Sequence, residues 1–293
     1  MSFLPLTRRF STDEKVGLRL ISVPALAVFA LIVAPLVMTL VYSLWEQTYT
    51  ALNKSVSLTN YTTVLTDPIY RALFLKSLGV SGLATFVSLL FAFPMAYFIS
   101  FYGGRHKVAW IIAIILPFWT SYLLRVFAWK IVLGYNGVLN SALIWAGLID
   151  QPLDVLIYSQ TSVVITLTHA WMPFAILPIY LSLERIDRSL YEAARDLGDP
   201  AWARFMRITL PLATPGIIAA ALVIFIPTFG DYVTPTIVGG ASGQMIANII
   251  QMNFGAANNW PLGAAVSVAT ILLVALIATT FSMILHFVTS RIR

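Results

Sequence analysis

Charged residues are absent from six long apolar stretches of this chain. A helix needs about 20 apolar residues to cross a hydrocarbon core of ~30 Å. The first five stretches are each long enough for one crossing. The last is too long, and its middle, residues 239–261, is rich in Gly, Asn and Gln and divides it. The six stretches are 20–44, 77–104, 108–124, 155–183, 208–230 and 232–290.

This pattern predicts an all-α membrane protein with six transmembrane helices. Lipid supplies no hydrogen-bond partners, so a spanning segment must be a helix or a strand of a closed barrel. Barrel strands alternate apolar and polar residues over ~10 positions, whereas these apolar runs are continuous. We expect one membrane-spanning domain over residues 20–293. The expected spans are 22–44, 76–101, 108–129, 154–183, 208–236 and 262–288.

The basic residues predict the orientation of the chain. The formal net charge is +6, and Lys and Arg concentrate in the cytoplasmic loops of membrane proteins. With the N-terminus inside, thirteen basic residues are cytoplasmic and five are outside. Both termini are then cytoplasmic, and residues 1–19 form a cytoplasmic N-terminal segment. The five outside residues are Lys54, Arg71, Lys76, Arg125 and Lys130.

Several classes of function lack their sequence signature here. The positive-inside rule accounts for the basic excess, so no nucleic-acid partner is expected. There is no cysteine, and the motifs H-E-x-x-H, G-x-S-x-G and the P-loop are absent. We therefore expect no catalytic residue, no metal site and no ATP hydrolysis by this chain. Gly230-Asp231 matches part of the G-x-G-D signature of intramembrane proteases, but Thr228 replaces the first glycine.

The longest predicted inside loop, residues 182–211, carries a spaced motif. It reads E-A-A, three residues, G, nine residues, then I-x-L-P. This resembles the EAA motif of ABC importer permeases, and it lies where that family has it, two spans before the C-terminus. A secondary transporter would explain six spans but not this loop. The matching residues are Glu192, Ala193, Ala194, Gly198, Ile208, Leu210 and Pro211.

The resemblance implies a type I ABC importer permease of the bacterial inner membrane. Its partners would be membrane lipid, a second permease subunit that is homologous but different, two ATPase subunits and a periplasmic binding protein. ATP and Mg would bind the ATPase subunits, with no cofactor on this chain. In the family this loop seats in a groove of the ATPase. The residues expected to couple are Glu192, Ala193, Ala194, Gly198, Trp202, Phe205, Leu210 and Pro211.

Local chemistry predicts two short helices in this coupling loop, residues 182–211. Ser189 and Glu192 have the spacing of a capping box, and Gly198 can adopt the left-handed conformation that ends a helix. Asp199-Pro200 suits the start of a second helix, as N-cap and first-turn proline. That helix would present Trp202 and Phe205 to a partner and would be broken by Pro211.

Other stretches are similar to the spermidine/putrescine branch of these permeases, namely 58–61, 116–121 and 226–235. The resemblance implies a polyamine as the solute, although the branch also includes importers of other small organic solutes. Polar residues inside spans usually face a cavity or a neighbouring helix. The candidates for the substrate pathway are Trp119, Thr120, Ser121, Tyr122, Arg125, Asp231 and Tyr232.

Asp231 has two possible roles. With Tyr232 beside it, it could hold an ammonium group by charge and cation–π attraction. Alternatively, it could form a structural ion pair with Arg125 or Lys130. The sequence leaves both roles open.

Overall fold

A computed structural model describes residues 12–48 and 51–292, with side chains for Ser22 and for residues 24–48 and 51–284. Most of the predicted N-terminal segment, including Arg8 and Arg9, lies outside the described residues. The described part is almost entirely helical, apart from one two-stranded hairpin of β1 (Glu46–Gln47) and β2 (Leu52–Asn53). The α-helices are α1 (Thr12–Ser43), α2 (Thr59–Thr66), α3 (Pro68–Tyr102), α4 (Lys107–Ile115), α5 (Tyr122–Leu133), α6 (Val138–Trp145), α7 (Gln160–Glu184), α8 (Arg188–Asp196), α9 (Ala201–Arg204), α10 (Leu210–Phe229), α11 (Ile246–Phe254) and α12 (Trp260–Ile292).

The structure confirms a helical fold of the predicted size. Among the described residues, five helical segments are long and apolar enough to cross a membrane, and a bent pair of helices makes a sixth. The second span begins earlier than expected, at Pro68, because the Asp67 side chain accepts a hydrogen bond from the Ile69 amide (2.8 Å). The fourth begins later, at Gln160, where Ser159 and Ser162 form a capping box.

The third span is not the single helix expected over residues 108–129. After α4 the chain tightens into a 3-10 turn, Leu116–Trp119, and then runs extended through Thr120 and Ser121. The helical segments on either side of this break meet at 85°. Pro117 lacks an amide hydrogen, and the Thr120 hydroxyl donates to the Pro117 carbonyl (2.9 Å). These local bonds replace the helical pattern at the break.

The fifth span also departs from its expected bounds, residues 208–236. A helix runs without interruption from Ala201 to Phe229, so the break expected at Pro211 is wrong. The segment Phe205–Thr209 is π-helical, with the Leu210 amide bonded to the Phe205 carbonyl. Pro211, which has no amide hydrogen, directly follows this π-helical segment and is accommodated inside the continuous helix. At its outer end α10 stops before Gly230.

The core lies where α3, α7 and α10 pack together. Small residues allow these helices to approach closely, as is typical in membranes. A Cβ atom built on Gly216 of α10 would lie 2.5 Å from the Ser182 Cβ and 2.6 Å from the Pro178 carbonyl oxygen of α7. In contrast, α1 packs against α12 at the edge of the bundle, with most of its described side chains exposed. The three central helices therefore form the closely packed core of the fold.

The predicted orientation can be tested by cysteine labelling, because the chain has no cysteine of its own. Asn53→Cys and Ala257→Cys should react with an impermeant thiol reagent in intact cells, since both residues are exposed in predicted outer loops. Ala201→Cys, exposed in the coupling loop, should react only after the membrane is opened. Asn140, also in an outer region, is only 1% exposed and is unsuitable. Labelling of intact cells at position 201 alone would mean that the orientation is inverted.

Candidate functional site: the coupling loop and a polar outer site

The first helix of the coupling loop is capped differently from the prediction. Helix α8 begins at Arg188, and the Asp187 carboxylate accepts from the Ser189 amide (2.9 Å). That bond holds the pKa of Asp187 below its usual value. Ser189 is thus already inside the helix, so the capping box of Ser189 with Glu192 is wrong. Asp187 is the better cap because a carboxylate at a helix N-terminus also complements the helix dipole.

The turn after α8 confirms the prediction for Gly198. Its φ angle is +84°, in the left-handed region that side chains with a Cβ atom disfavour. The Gly198 amide bonds the Arg195 carbonyl (3.0 Å), and the Asp199 amide bonds the Ala194 carbonyl (3.0 Å). This pair of bonds is a Schellman motif. It sets the direction in which the chain leaves α8.

The segment expected to form a second short helix is instead the start of the fifth span, and its N-cap is Pro200, not Asp199. The Asp199 carboxylate instead accepts from Arg207, with 3.3 Å between Nη1 and Oδ1. Pro200 is extended, with ψ at 161°, so the helix starts one residue later than the sequence suggested. The ion pair closes the loop against the start of the fifth span.

Two apolar residues expected to anchor a partner differ in their exposure. Trp202 is 68% exposed and stacks on Phe205, with ring centroids 5.8 Å apart. Phe205 is half-buried, and its ring edge meets Phe93 and Tyr97 of α3. Trp202 is therefore exposed to solvent, and Phe205, on which it stacks, packs against α3 of the helical bundle.

The remaining motif residues divide between the surface and the base of the loop. Glu192 and Ala193 are exposed, whereas Ala194 is buried. Glu192 lines a cleft of about 310 Å³ between the loop and the end of α3. Leu210 and Pro211 are half-buried at the start of α10. The motif thus combines an exposed face with residues that attach the loop to a spanning helix.

At the other end of the fifth span, Asp231 is buried, at 8% exposure, and its hydrogen-bond partners among the described residues are all neutral donors. Its Oδ1 accepts from the amides of Val233 (2.8 Å) and Thr234 (3.3 Å). Its Oδ2 accepts from the Thr234 hydroxyl (2.7 Å) and from the Tyr122 hydroxyl. Asp231 therefore caps the short helical segment that follows α10 and binds it to the start of α5.

The alternative ion pair of Asp231 with Arg125 or Lys130 is not present among the described residues. The Arg125 guanidinium donates to the Phe118 carbonyl (2.5 Å) and lies 5.1 Å from the centre of the Phe118 ring. Lys130 lies over the ring of Tyr158 at 5.9 Å. Arg125 thus stabilises the break of the third span and does not neutralise Asp231.

The structure brings only some of the predicted pathway residues together. Tyr122 and Asp231 are in contact, while Trp119, Thr120 and Ser121 are exposed at the break of the third span. Tyr232 is 47% exposed and lines a separate cleft of about 480 Å³ with residues of α11. The sequence reasoning missed Thr234, whose position three residues after Asp231 is the spacing of an N-cap bond.

Known proteins similar to this chain agree with one another. The family described as binding-protein-dependent transport system inner membrane component matches residues 18–293. The spermidine/putrescine transport system permease protein PotB of Haemophilus influenzae is 37% identical over 222 residues, covering 76% of this chain and 77% of that protein. The inner membrane ABC transporter permease protein YdcU of Escherichia coli is 33% identical, covering 86% and 88%.

A solved structure extends the similarity to the fold. The bacterial ABC transporter that imports the acidic polysaccharide alginate superposes with a TM-score of 0.69 at 19% identity, over 94% of this chain and 97% of that one. At that identity the likeness concerns the fold alone. The family match over nearly all of its length and the similarity to PotB and YdcU show that this chain belongs to the binding-protein-dependent ABC importers, as an inner-membrane, multi-pass permease subunit.

Proposed function

We propose that this permease forms half of the pathway for a polyamine such as spermidine or putrescine. The observation that carries the proposal is the 37% identity to spermidine/putrescine permeases over three quarters of the chain. We further propose that it works with a second, homologous permease chain, two ATPase subunits and a periplasmic binding protein. In this arrangement ATP and Mg bind the ATPase subunits, and this chain contributes the pathway and the coupling loop.

The polar site of Asp231, Tyr122 and Thr234, with the neighbouring Tyr232, lies on the predicted outer side of the membrane, and we call it the outer site. Its chemistry supports a cationic solute. No cation lies against the Asp231 carboxyl group among the described residues, since its partners are hydroxyls and amides. A carboxylate in a low-dielectric setting attracts a cation more strongly than one in water. Tyr232, next in sequence and half-exposed, offers an aromatic face that can hold an ammonium group. We propose that Asp231 attracts the ammonium groups of a passing polyamine by charge and that Tyr232 contacts them through its ring.

A second candidate is the import of another small organic solute by the same mechanism. It is favoured by the fold similarity to an alginate importer, because one architecture then serves solutes of opposite charge. In that case the outer site would act in folding alone.

Uptake by the reconstituted complex tests the proposal directly. Proteoliposomes that contain this permease with its partner subunits should accumulate radiolabelled putrescine or spermidine when ATP and the binding protein are present. Unlabelled polyamines should compete, and neutral sugars should not. ATP-driven accumulation of a different solute, with none of either polyamine, would support the second candidate instead.

Gly198→Val tests the coupling loop. A β-branched residue at a φ of +84° should cost about 1–2 kcal/mol locally and redirect the chain after α8. Uptake should fall severalfold, while insertion in the membrane persists. Gly198→Asn is the matched control, because Asn tolerates the left-handed region and should retain more uptake. Normal uptake and normal solute-stimulated ATPase activity in Gly198→Val would contradict a coupling role.

Asp231→Asn removes the charge at the outer site and also replaces one of the two accepting oxygens with an NH2 group. We expect polyamine uptake to drop about tenfold, the factor that corresponds to ~1.4 kcal/mol, while basal ATPase activity and assembly remain. Tyr122→Phe is the control, since it removes one hydrogen bond of Asp231, worth about 1.5–3 kcal/mol, and keeps the charge. Equal losses of assembly in the two variants, with unchanged apparent affinity for polyamine, would assign Asp231 a structural role only.

A further inference from the structure

One carboxylate, that of Glu184, joins four helix ends at the start of the coupling loop. Glu184 is the last residue of α7, and its Oε1 accepts from the Ser100 hydroxyl near the end of α3 (2.7 Å). Lys107, the first residue of α4, places Nζ 2.7 and 2.9 Å from the two carboxylate oxygens. Arg188, the first residue of α8, has Nη2 3.8 Å from Oε1. Glu184 is not part of the motif that identifies the loop.

The three charged residues of this cluster lie at the ends of helices that disfavour them. An acid is unfavourable at a helix C-terminus, and a base is unfavourable at an N-terminus, because of the helix dipole. Glu184 ends α7, whereas Lys107 and Arg188 begin α4 and α8. Local helix stability therefore does not explain their positions. Their mutual attraction across elements does.

The cluster is attached to α3, one of the three closely packed core helices. Ser100 is buried, and its carbonyl accepts a second bond from Arg188 (3.0 Å). The Arg188 guanidinium lies 4.1 Å from the centre of the Phe101 ring. The side chains of Lys107 and Glu184 are 24% and 31% exposed, so water screens this pair less than a pair on the open surface. The geometry is thus held from several sides.

The cluster connects the two candidate sites. On one side, Arg188 begins the first helix of the coupling loop. On the other side, Lys107 begins α4, which leads through the break at Thr120 to Tyr122, the partner of Asp231. A displacement of α8 that is carried through Glu184 to Lys107 would therefore move the inner half of the third span.

We propose that Glu184 is a positioning residue that holds α4 to the coupling loop, so that the loop and the inner half of the third span move as one unit during transport. This inference rests on the proposed function, because it assigns a path to the movement that the ATPase subunits impose on the loop. The bond between Lys107 and Glu184 persists through the cycle in this scheme. It does not open as a gate.

Glu184→Gln in the complete complex tests the proposal through the number of solute molecules moved per ATP hydrolysed. The amide retains the bond to Ser100 but loses the charge that attracts Lys107 and Arg188. We expect this ratio to fall at least fivefold, within the usual range of coupling between sites, while assembly and basal ATPase activity persist. Glu184→Asp, which keeps the charge, should recover part of the ratio.

The matched control is Asp199→Asn, which removes the acid of the other ion pair of the coupling loop, Asp199 with Arg207. That pair joins the loop only to the adjoining start of the fifth span, so its loss should lower the ratio much less. Equal losses in Glu184→Gln and Asp199→Asn would overturn the proposal, because the effect would then be one of loop charge in general. An unchanged ratio in Glu184→Gln would overturn it as well.

A cross-link tests whether the contact persists. The double variant Lys107→Cys with Glu184→Cys should transport poorly, and a short bifunctional thiol reagent should restore transport by rejoining α4 to α7. This chain has no cysteine of its own, so within it the reagent can react only at the two introduced residues. If the double variant transports poorly and the cross-link lowers its transport further, the contact between residues 107 and 184 must open during transport. That result would overturn the proposal. If the unmodified complex moves no solute with ATP, the proposed function itself fails, and this inference fails with it.

Discussion

The need to satisfy every backbone amide and carbonyl within lipid governs this structure. Helices meet that need by themselves, but a broken helix exposes polar groups that protein must cover. Two breaks occur here, at Thr120–Ser121 in the third span and after Phe229 in the fifth. The side chains of Tyr122 and Asp231 meet between them. Tyr122 follows the break in the third span, and Asp231 follows the break in the fifth. The hydrogen bond between their side chains therefore joins the two broken segments.

Much of the fold follows from the apolar pattern alone. The number of crossings and their helical nature depend on run length, which the bilayer thickness sets. The bounds of the spans depend on local capping, and the sequence predicted these less well. Ser159 moves one start by six residues from its expected position at 154, because an N-cap bond competes with simple hydrophobicity. Bends such as that after Pro117 arise from the loss of single hydrogen bonds, which an apolar run does not reveal.

The sequence predicted local features of the candidate sites better than contacts between residues that are far apart in the chain. Gly198 could be assigned from its residue type, since few other residues accept a left-handed turn. The partners of Asp231 could not be assigned, because Tyr122 is 109 residues away in sequence. The capping residues Asp187 and Pro200 were displaced by one or two positions from the expected ones. Asp187 caps α8 by accepting from the Ser189 amide, whereas Pro200 makes no side-chain cap bond and the Asp199 carboxylate accepts from Arg207 instead.

The two ends of the molecule use charge in opposite ways. At the start of the coupling loop, Glu184 is paired with Lys107 and Arg188, so the charges hold these helix ends together. At the outer site, Asp231 is hydrogen-bonded but is not neutralised by any cation among the described side chains. Hydrogen bonds from neutral donors stabilise a buried carboxylate without cancelling its field. This difference in charge balance fits the two roles that we propose, mechanical coupling at one end and contact with a cation at the other.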